Sequence, residues 1–335
     1  MTVHRDAATG FGSREQGRAA GAAAGVEGGL GLLVGSSEPM QRLYEQIREC
    51  AASDDSVFLV GETGSGKERV ARTIHQQSAR SHAQFVPLYC GSLAPELLET
   101  ELFGDDRPGL TVRERAGHLA RAANGTLFLD DITEMNAGLQ ARLLQVLEER
   151  DAGGDQAREQ GTRIIAATSM EPEDAVERGR LNEALYRRLA QYRIRVPTLR
   201  ERGEDVILLA EHFLAERNAE TGVTKQFDDE AREALRAYRW PGNVRELKDA
   251  VRHSHLLAAG TIKVEDLPGP VSSAGPGNES YIRVNVGTPL SEVERRTILS
   301  TLEHYDGDKK KAADTLRISL KTLYNRLKQY NHRRQ

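Results

Sequence analysis

Val57-Phe58-Leu59-Val60 runs directly into Gly61-Glu62-Thr63-Gly64-Ser65-Gly66-Lys67-Glu68, and a helical stretch follows. The order is apolar strand, glycine-rich loop, helix. Glycines let backbone N–H groups close around phosphate oxygens. The helix N-terminus adds positive partial charge, and Lys67 neutralises the β/γ oxygens. A fortuitous glycine turn would not bring strand, spacing and lysine together. The reading assigns Gly61, Glu62, Thr63, Gly64, Ser65, Gly66, Lys67 and Glu68 to a nucleotide site. Glu68 stands where the general pattern has a Ser or Thr on magnesium, so metal contact at that position is indirect.

A second stretch supports the first. Leu127-Phe128-Leu129-Asp130-Asp131 is an apolar strand ending in two carboxylates. Asp130 is placed to hold Mg2+ through water, and Asp131 to orient an attacking water. The alternative for this pair is a helix N-cap at a strand end. Further apolar runs at Phe85–Leu88, Ile164–Thr168 and Ile194–Val196 alternate with helical stretches, beginning with Ser37–Cys50. Such alternation predicts an α/β fold with a parallel sheet covered on both faces. After Pro197 the strands stop. Residues 204–221, 227–239 and 242–259 read as helices, and Trp240 before Pro241-Gly242 reads as a core residue.

The chain has 335 residues, 46 Lys+Arg and 50 Asp+Glu, for a net charge of −4. No apolar run approaches the roughly 18 residues of a membrane span. Two cysteines supply neither a disulfide framework nor a zinc cage, which fits reduced thiols in a cytoplasm. His253 and His255, two apart on a helix, point to different sides and suit a metal poorly. Residues 1–35 hold nine glycines and seven alanines and read as a flexible arm. Residues 268–280 form a Pro/Gly/Ser linker.

Charge is unevenly spread. Residues 281–335 hold 12 Lys+Arg and 6 Asp+Glu, a net of +6 that leaves −10 elsewhere. A basic tail on an acidic body points to a polyanion at the tail alone. There, 290–305, 308–316 and 319–330 have helical patterns. The second turns Ala312, Ala313 and Leu316 inward, Arg317-Ile318-Ser319 makes a turn, and the third buries Leu323 and Leu327. Lys321, Thr322, Asn325, Arg326 and Lys328 are left on the other face, the layout of a recognition helix in a major groove, and Ser319 in the turn joins them as a DNA-binding candidate. Lys309, Lys310 and Lys311 suit phosphates, whereas Asn325 and Arg326 carry groups that read base edges. Arg317 takes a turn position that favours Gly. The first helix, with Val293, Ile298, Leu299 and Leu302, supports dimerisation and hence a palindromic double-stranded DNA site. The plainer alternative is a three-helix module with a solvated basic face.

Together these stretches resemble the sigma-54-dependent transcriptional activators, the bacterial enhancer-binding proteins. The resemblance rests on Gly61–Glu68, Glu101-Leu102-Phe103-Gly104, Gly125–Asp130, Arg163–Thr168, Val196-Pro197-Thr198-Leu199-Arg200-Glu201-Arg202 and Trp240-Pro241-Gly242-Asn243-Val244-Arg245-Glu246-Leu247. The tail is similar to a Fis-type helix-turn-helix. The resemblance implies an AAA+ α/β subdomain at 36–198, a helical lid at 199–267 and a DNA-binding domain at 281–335. It implies ATP and Mg2+ as cofactors, a homo-oligomer from dimer to hexamer with ATP between subunits, and RNA polymerase as partner. By position Arg245 is the sensor II arginine and Arg188 an arginine finger.

Several positions depart from that pattern. The loop that grips sigma-54 reads GAFTGA in the family, whereas Pro108-Gly109-Leu110-Thr111-Val112-Arg113 stands here, and its proline restricts the backbone. Asp131 replaces a glutamate, Tyr89 and Ser169 replace asparagines, and Asn182 replaces a first finger arginine. Binding parts are retained and turnover parts altered. Two functions remain open on the sequence. One is an ATP-driven regulator that remodels sigma-54 polymerase. The other is a non-remodelling relative with impaired hydrolysis, acting through another sigma factor, as a repressor or in a mixed ring. A branch-migration motor is a third class, opposed by ELFG, VPTLRER and WPGNVREL.

Overall fold

The computed structural model describes residues 29–105, 116–152, 161–273, 289–305 and 307–332, and the chain divides into two compact units, Met1–Pro276 and Gly277–Gln335. In the first unit α1 (Glu38–Ala51) opens on Glu38-Pro39, where proline's missing N–H is no loss. There follow β1 (Val57–Val60), α2 (Lys67–Gln77), β2 (Phe85–Tyr89), α3 (Pro95–Phe103), α4 (His118–Arg121) and β3 (Thr126–Asp130). Next come α5 (Ala137–Ala152), β4 (Arg163–Thr168), α6 (Pro172–Glu177), α7 (Glu183–Leu189) and β5 (Tyr192–Arg195). The five strands lie in the order β2-β3-β4-β1-β5, all parallel, as the α/β reading expected.

Continuous apolar runs form β1, β3 and β4 because both faces of these strands are covered. Val57 and Leu59 face α1 and α2, packing with Met40, Leu43, Ile47, Val70 and Ile74. Phe58 and Val60 face the other side, with Leu98, Leu102, Leu143, Leu185 and Leu189. The edge strand β5 differs from the expected 194–196: it is Tyr192–Arg195, with Ile194 its one buried residue. An edge strand alternates, so a search for apolar runs starts too late there.

Beyond β5 the chain is helical: α8 (Asp205–Thr221), α9 (Asp229–Ala237), α10 (Asn243–Leu257) and the one-turn α11 (Gly269–Ser272). Leu209, Phe213, Leu235, Leu247, Val251 and Ile262 close around Trp240, which is 1% exposed. Val271 joins this core, so the start of the stretch read as a linker packs with the helical bundle. Trp240 has φ +53°, a region costly for a bulky residue. Burial of the indole, its N–H bond to the Leu235 carbonyl at 2.9 Å and an edge-on contact with Tyr238 at 5.0 Å offset that strain.

Leu30 and Leu33 pair through their backbones, and Leu33 is buried against the sheet, so the last part of the glycine-rich arm is ordered. Pro108–Arg113 lie outside the described residues. Gly104 and Ala116 bridge on either side of that stretch. Gly117 must be glycine, since a Cβ would stand 2.4 Å from the Gly104 nitrogen.

The second unit contains α12 (Leu290–His304), α13 (Lys309–Thr315) and α14 (Leu320–His332) around Ile298, Ala312, Ala313 and Leu323. Asp308 caps α13 by accepting from the Lys310 and Lys311 amides at 3.0 and 3.1 Å. Arg317, in the α13–α14 turn, has φ +52°, the conformation its position suggested. Among the described residues no helix is long and apolar enough to cross a membrane.

Trp240→Ala removes the largest buried side chain of the helical bundle and should cost about 3–5 kcal/mol. Urea unfolding of the full chain checks this; a loss below about 1 kcal/mol contradicts the assigned role.

Candidate functional site

Parallel strands bring their carboxyl ends to one edge of the sheet, and the chemistry-bearing residues collect there. Gly64 and Gly66 have φ +79° and +101°, so the Gly61–Lys67 loop needs glycine at both. Lys67, the first residue of α2, is 6% exposed and donates from Nζ to the Gly61 carbonyl at 2.9 Å. Burial lowers its pKa, while the charges of Asp131 and Asp130 act the other way. Asp130 ends β3; burial, then Asp131, pushes its carboxyl pKa up. Its Oδ1 is buried and has no hydrogen-bond partner among the described residues. A desolvated cation within the field of a buried carboxylate fits a phosphate with a hydrated divalent cation.

Asp131 has φ +51°, and its Oδ1 accepts from the Ser169 amide at 3.1 Å. It precedes a one-turn helix, Ile132–Glu134, but makes no side-chain cap bond to it, so the N-cap alternative does not describe Asp131. The Ser169 side chain is exposed. Tyr89 pairs in register with Asp130 across β2 and β3 and is 49% exposed.

Two loop carboxylates turn away from the cradle. Glu68 pairs with Arg72 at 2.8 Å. Glu62 binds the fork of Arg200, with Nη1 at 2.8 Å, and accepts from Asn243 Nδ2 at 3.1 Å. The Arg200 bond, then that from Asn243, holds the Glu62 pKa down at about 2 against burial. Ser65 Oγ is buried and has no partner among the described residues. Arg245, exposed in the first turn of α10, donates its amide to the Gly64 carbonyl at 3.3 Å, and its charge acts on Lys67. Arg188 is partly exposed on α7. Asn182 caps α7, its side chain accepting from the Leu185 amide at 3.0 Å, which explains an asparagine at that position. Sequence reasoning missed Arg200, Arg202 and Asn243 as site residues; they were visible only as members of motifs, without a role.

In the second unit Lys309, Lys310, Lys311, Lys321, Thr322 and Asn325 are exposed. Ser319 caps α14 through the Thr322 amide at 3.1 Å, and its hydroxyl bonds the Thr322 hydroxyl at 2.8 Å. Arg326 is turned toward α12, where its Nε meets Glu294 at 3.0 Å. Lys328 lies on α14, its side chain outside the described residues. Tyr324, 51% exposed and under the Lys309 ammonium at 5.3 Å, is an aromatic that sequence reasoning did not single out.

Known proteins share both units. A sigma-54 interaction domain matches residues 33–195, an AAA+ ATPase lid domain 200–281, and a bacterial regulatory protein domain of the Fis family 289–330. The chain is 38% identical over 312 residues to transcriptional regulatory protein FlbD of Caulobacter vibrioides, covering 87% of this chain and 69% of that one. The chain belongs to the sigma-54-dependent transcriptional activator family. Transcriptional regulatory protein ZraR of Escherichia coli is 41% identical over 306 residues, covering 88% of this chain and 68% of its own. A structure of NtrX from Brucella abortus in complex with ATP aligns with a TM-score of 0.64 at 27% identity, covering 89% of this chain and 68% of that one.

As a family member the chain is a transcription regulator with an AAA+ domain and a Fis-type DNA-binding domain. Membership of this family does not favour the non-remodelling alternative. Within the AAA+ domain, Glu62 ties the phosphate loop to the lid. A depressed folded-state pKa contributes stability above the unfolded value near 4.5 that is lost as pH falls toward about 2. The thermal-midpoint difference between wild type and Glu62→Gln should therefore be constant above that window and shrink within it. A difference that grows on acidification contradicts the Glu62–Arg200 assignment.

Proposed function

We propose that this chain binds ATP with Mg2+ at the Gly61–Lys67 loop and uses its hydrolysis, as a ring of identical subunits, to act on RNA polymerase carrying sigma-54 from a palindromic DNA site. The observation that carries the reading is the buried Lys67 ammonium, on which the Asp130 charge acts, together with an Asp130 oxygen that has no hydrogen-bond partner among the described residues. Lys67 binds the β/γ oxygens once the Gly61 carbonyl releases it. Asp130 would hold the hydrated cation, which would supply charge neutralisation. Asp131, oriented by the Ser169 amide, positions the attacking water. Arg245 reaches the γ-phosphate from the lid, and Arg188 serves a neighbouring subunit's site.

In the second unit Asn325 reads bases from α14, Lys321 and Thr322 flank it, and Lys309, Lys310 and Lys311 meet phosphates. The exposure of these residues on one helix pair supports this assignment. Tyr324 adds a flat apolar surface beside Lys309. Arg326 must leave Glu294 to reach a base.

Three measurements test the proposal. Lys67→Ala should abolish ATP binding in calorimetry and transcription from a sigma-54 promoter; transcription that survives this change contradicts it. Asp131→Asn should keep ATP affinity while turnover falls on the order of 100-fold, the scale of a misplaced water; equal turnover contradicts the role. Replacing Lys309, Lys310 and Lys311 by Ala should reduce the slope of log K against log salt by about 0.9 for each phosphate no longer neutralised. An unchanged slope places the DNA elsewhere.

A further inference from the structure

Each carbonyl from Gly61 to Ser65 has a donor. Gly61 accepts from Lys67 Nζ at 2.9 Å, and Glu62 from the Ser65 amide at 3.2 Å. Thr63 accepts from Asn243 Nδ2 at 3.1 Å, Gly64 from the Arg245 amide at 3.3 Å, and Ser65 from Arg202 Nη2 at 3.1 Å. Two of these donors, Asn243 and Arg202, are side chains from far along the chain, and both are buried.

Their orientation is fixed from behind. Asn243 accepts on Oδ1 from the Leu199 amide at 2.9 Å, which assigns its NH2 to the loop side. Its φ of +53° is one asparagine tolerates better than most residues. Arg202 donates from Nε and Nη2 to the Pro197 carbonyl at 3.2 and 3.0 Å, leaving Nη2 shared with Ser65. The charge of Asp205 favours its charged form against burial. Gly64 permits the approach, since a Cβ there would stand 2.2 Å from the Gly242 carbonyl oxygen.

A trans peptide points its C=O and the next N–H in opposite directions. Drawing the Thr63 carbonyl outward therefore turns the Gly64 N–H inward, and drawing out Ser65 does the same for Gly66. We propose that Asn243 and Arg202 are positioning residues for the nucleotide: they hold the Thr63 and Ser65 carbonyls out of the cradle so that the Gly64 and Gly66 amides face the phosphates. The inference rests on the nucleotide reading given above. Neither side chain need touch the ligand.

The test uses the full chain, titrated calorimetrically with ATP and separately with adenosine, which has no phosphates. Asn243→Gly is neutral and tolerates the positive φ; Arg202→Lys keeps the charge opposite Asp205 and removes the fork. Each should weaken ATP binding about tenfold, the scale of one oriented bond to a charged group, with adenosine affinity unchanged. Asn243→Gln, which retains the NH2, should recover part of the ATP affinity. A merely structural role predicts equal losses for ATP and adenosine, and that result overturns the proposal, as does ATP affinity at the wild-type level in both variants. A wild-type chain with no ATP affinity defeats the nucleotide reading itself, and the inference with it.

Discussion

A buried ammonium is costly to desolvate unless negative charge is near, and Lys67 has Asp130 and Asp131 for neighbours and a loop carbonyl for its proton. The rest of the first unit serves that arrangement. Five parallel strands bring the end of β1 near the end of β3, with β4 between them. Thr168, ending β4, accepts the Gly61 amide at 3.2 Å and fixes where the loop begins. Packing on both faces of the sheet makes the positions of Lys67 and Asp130 consequences of the hydrophobic core rather than of local loop preference.

The lid adds a second constraint. Trp240 and Asn243 both have positive φ within four residues, and glycine at 64 lets the backbone of Gly242 come close. Strain of this kind persists only where its surroundings determine it. Here the Trp240 core on one side and the Glu62–Arg200–Asn243 network on the other supply that determination. Lid and phosphate loop are consequently tied together by these contacts.

Much of this is legible in the sequence, because its signals are local. An apolar run followed by a glycine-rich loop and lysine is readable over a dozen residues, and so is a strand ending in Asp130-Asp131. The tail's helices and the Arg317 turn also follow from short-range pattern. What is not legible depends on pairs distant in sequence. Arg202 meets Ser65 across 137 positions and Asn243 meets Glu62 across 181. Motif position makes Glu62 a nucleotide contact, whereas its carboxylate faces the lid; helix periodicity makes Arg326 a base reader, whereas it faces Glu294. Asn182, which departs from the family's arginine, has a local reason in the cap it makes for α7.

The most direct measurement is a crystal structure of the full chain with Mg2+ and a non-hydrolysable ATP analogue. The expected result is that Lys67 Nζ leaves the Gly61 carbonyl for the β/γ oxygens and that the Asp130 carboxylate turns to the hydrated cation. An analogue seated elsewhere, with the Lys67–Gly61 bond intact, would contradict the assignment of Lys67 and Asp130 to the nucleotide.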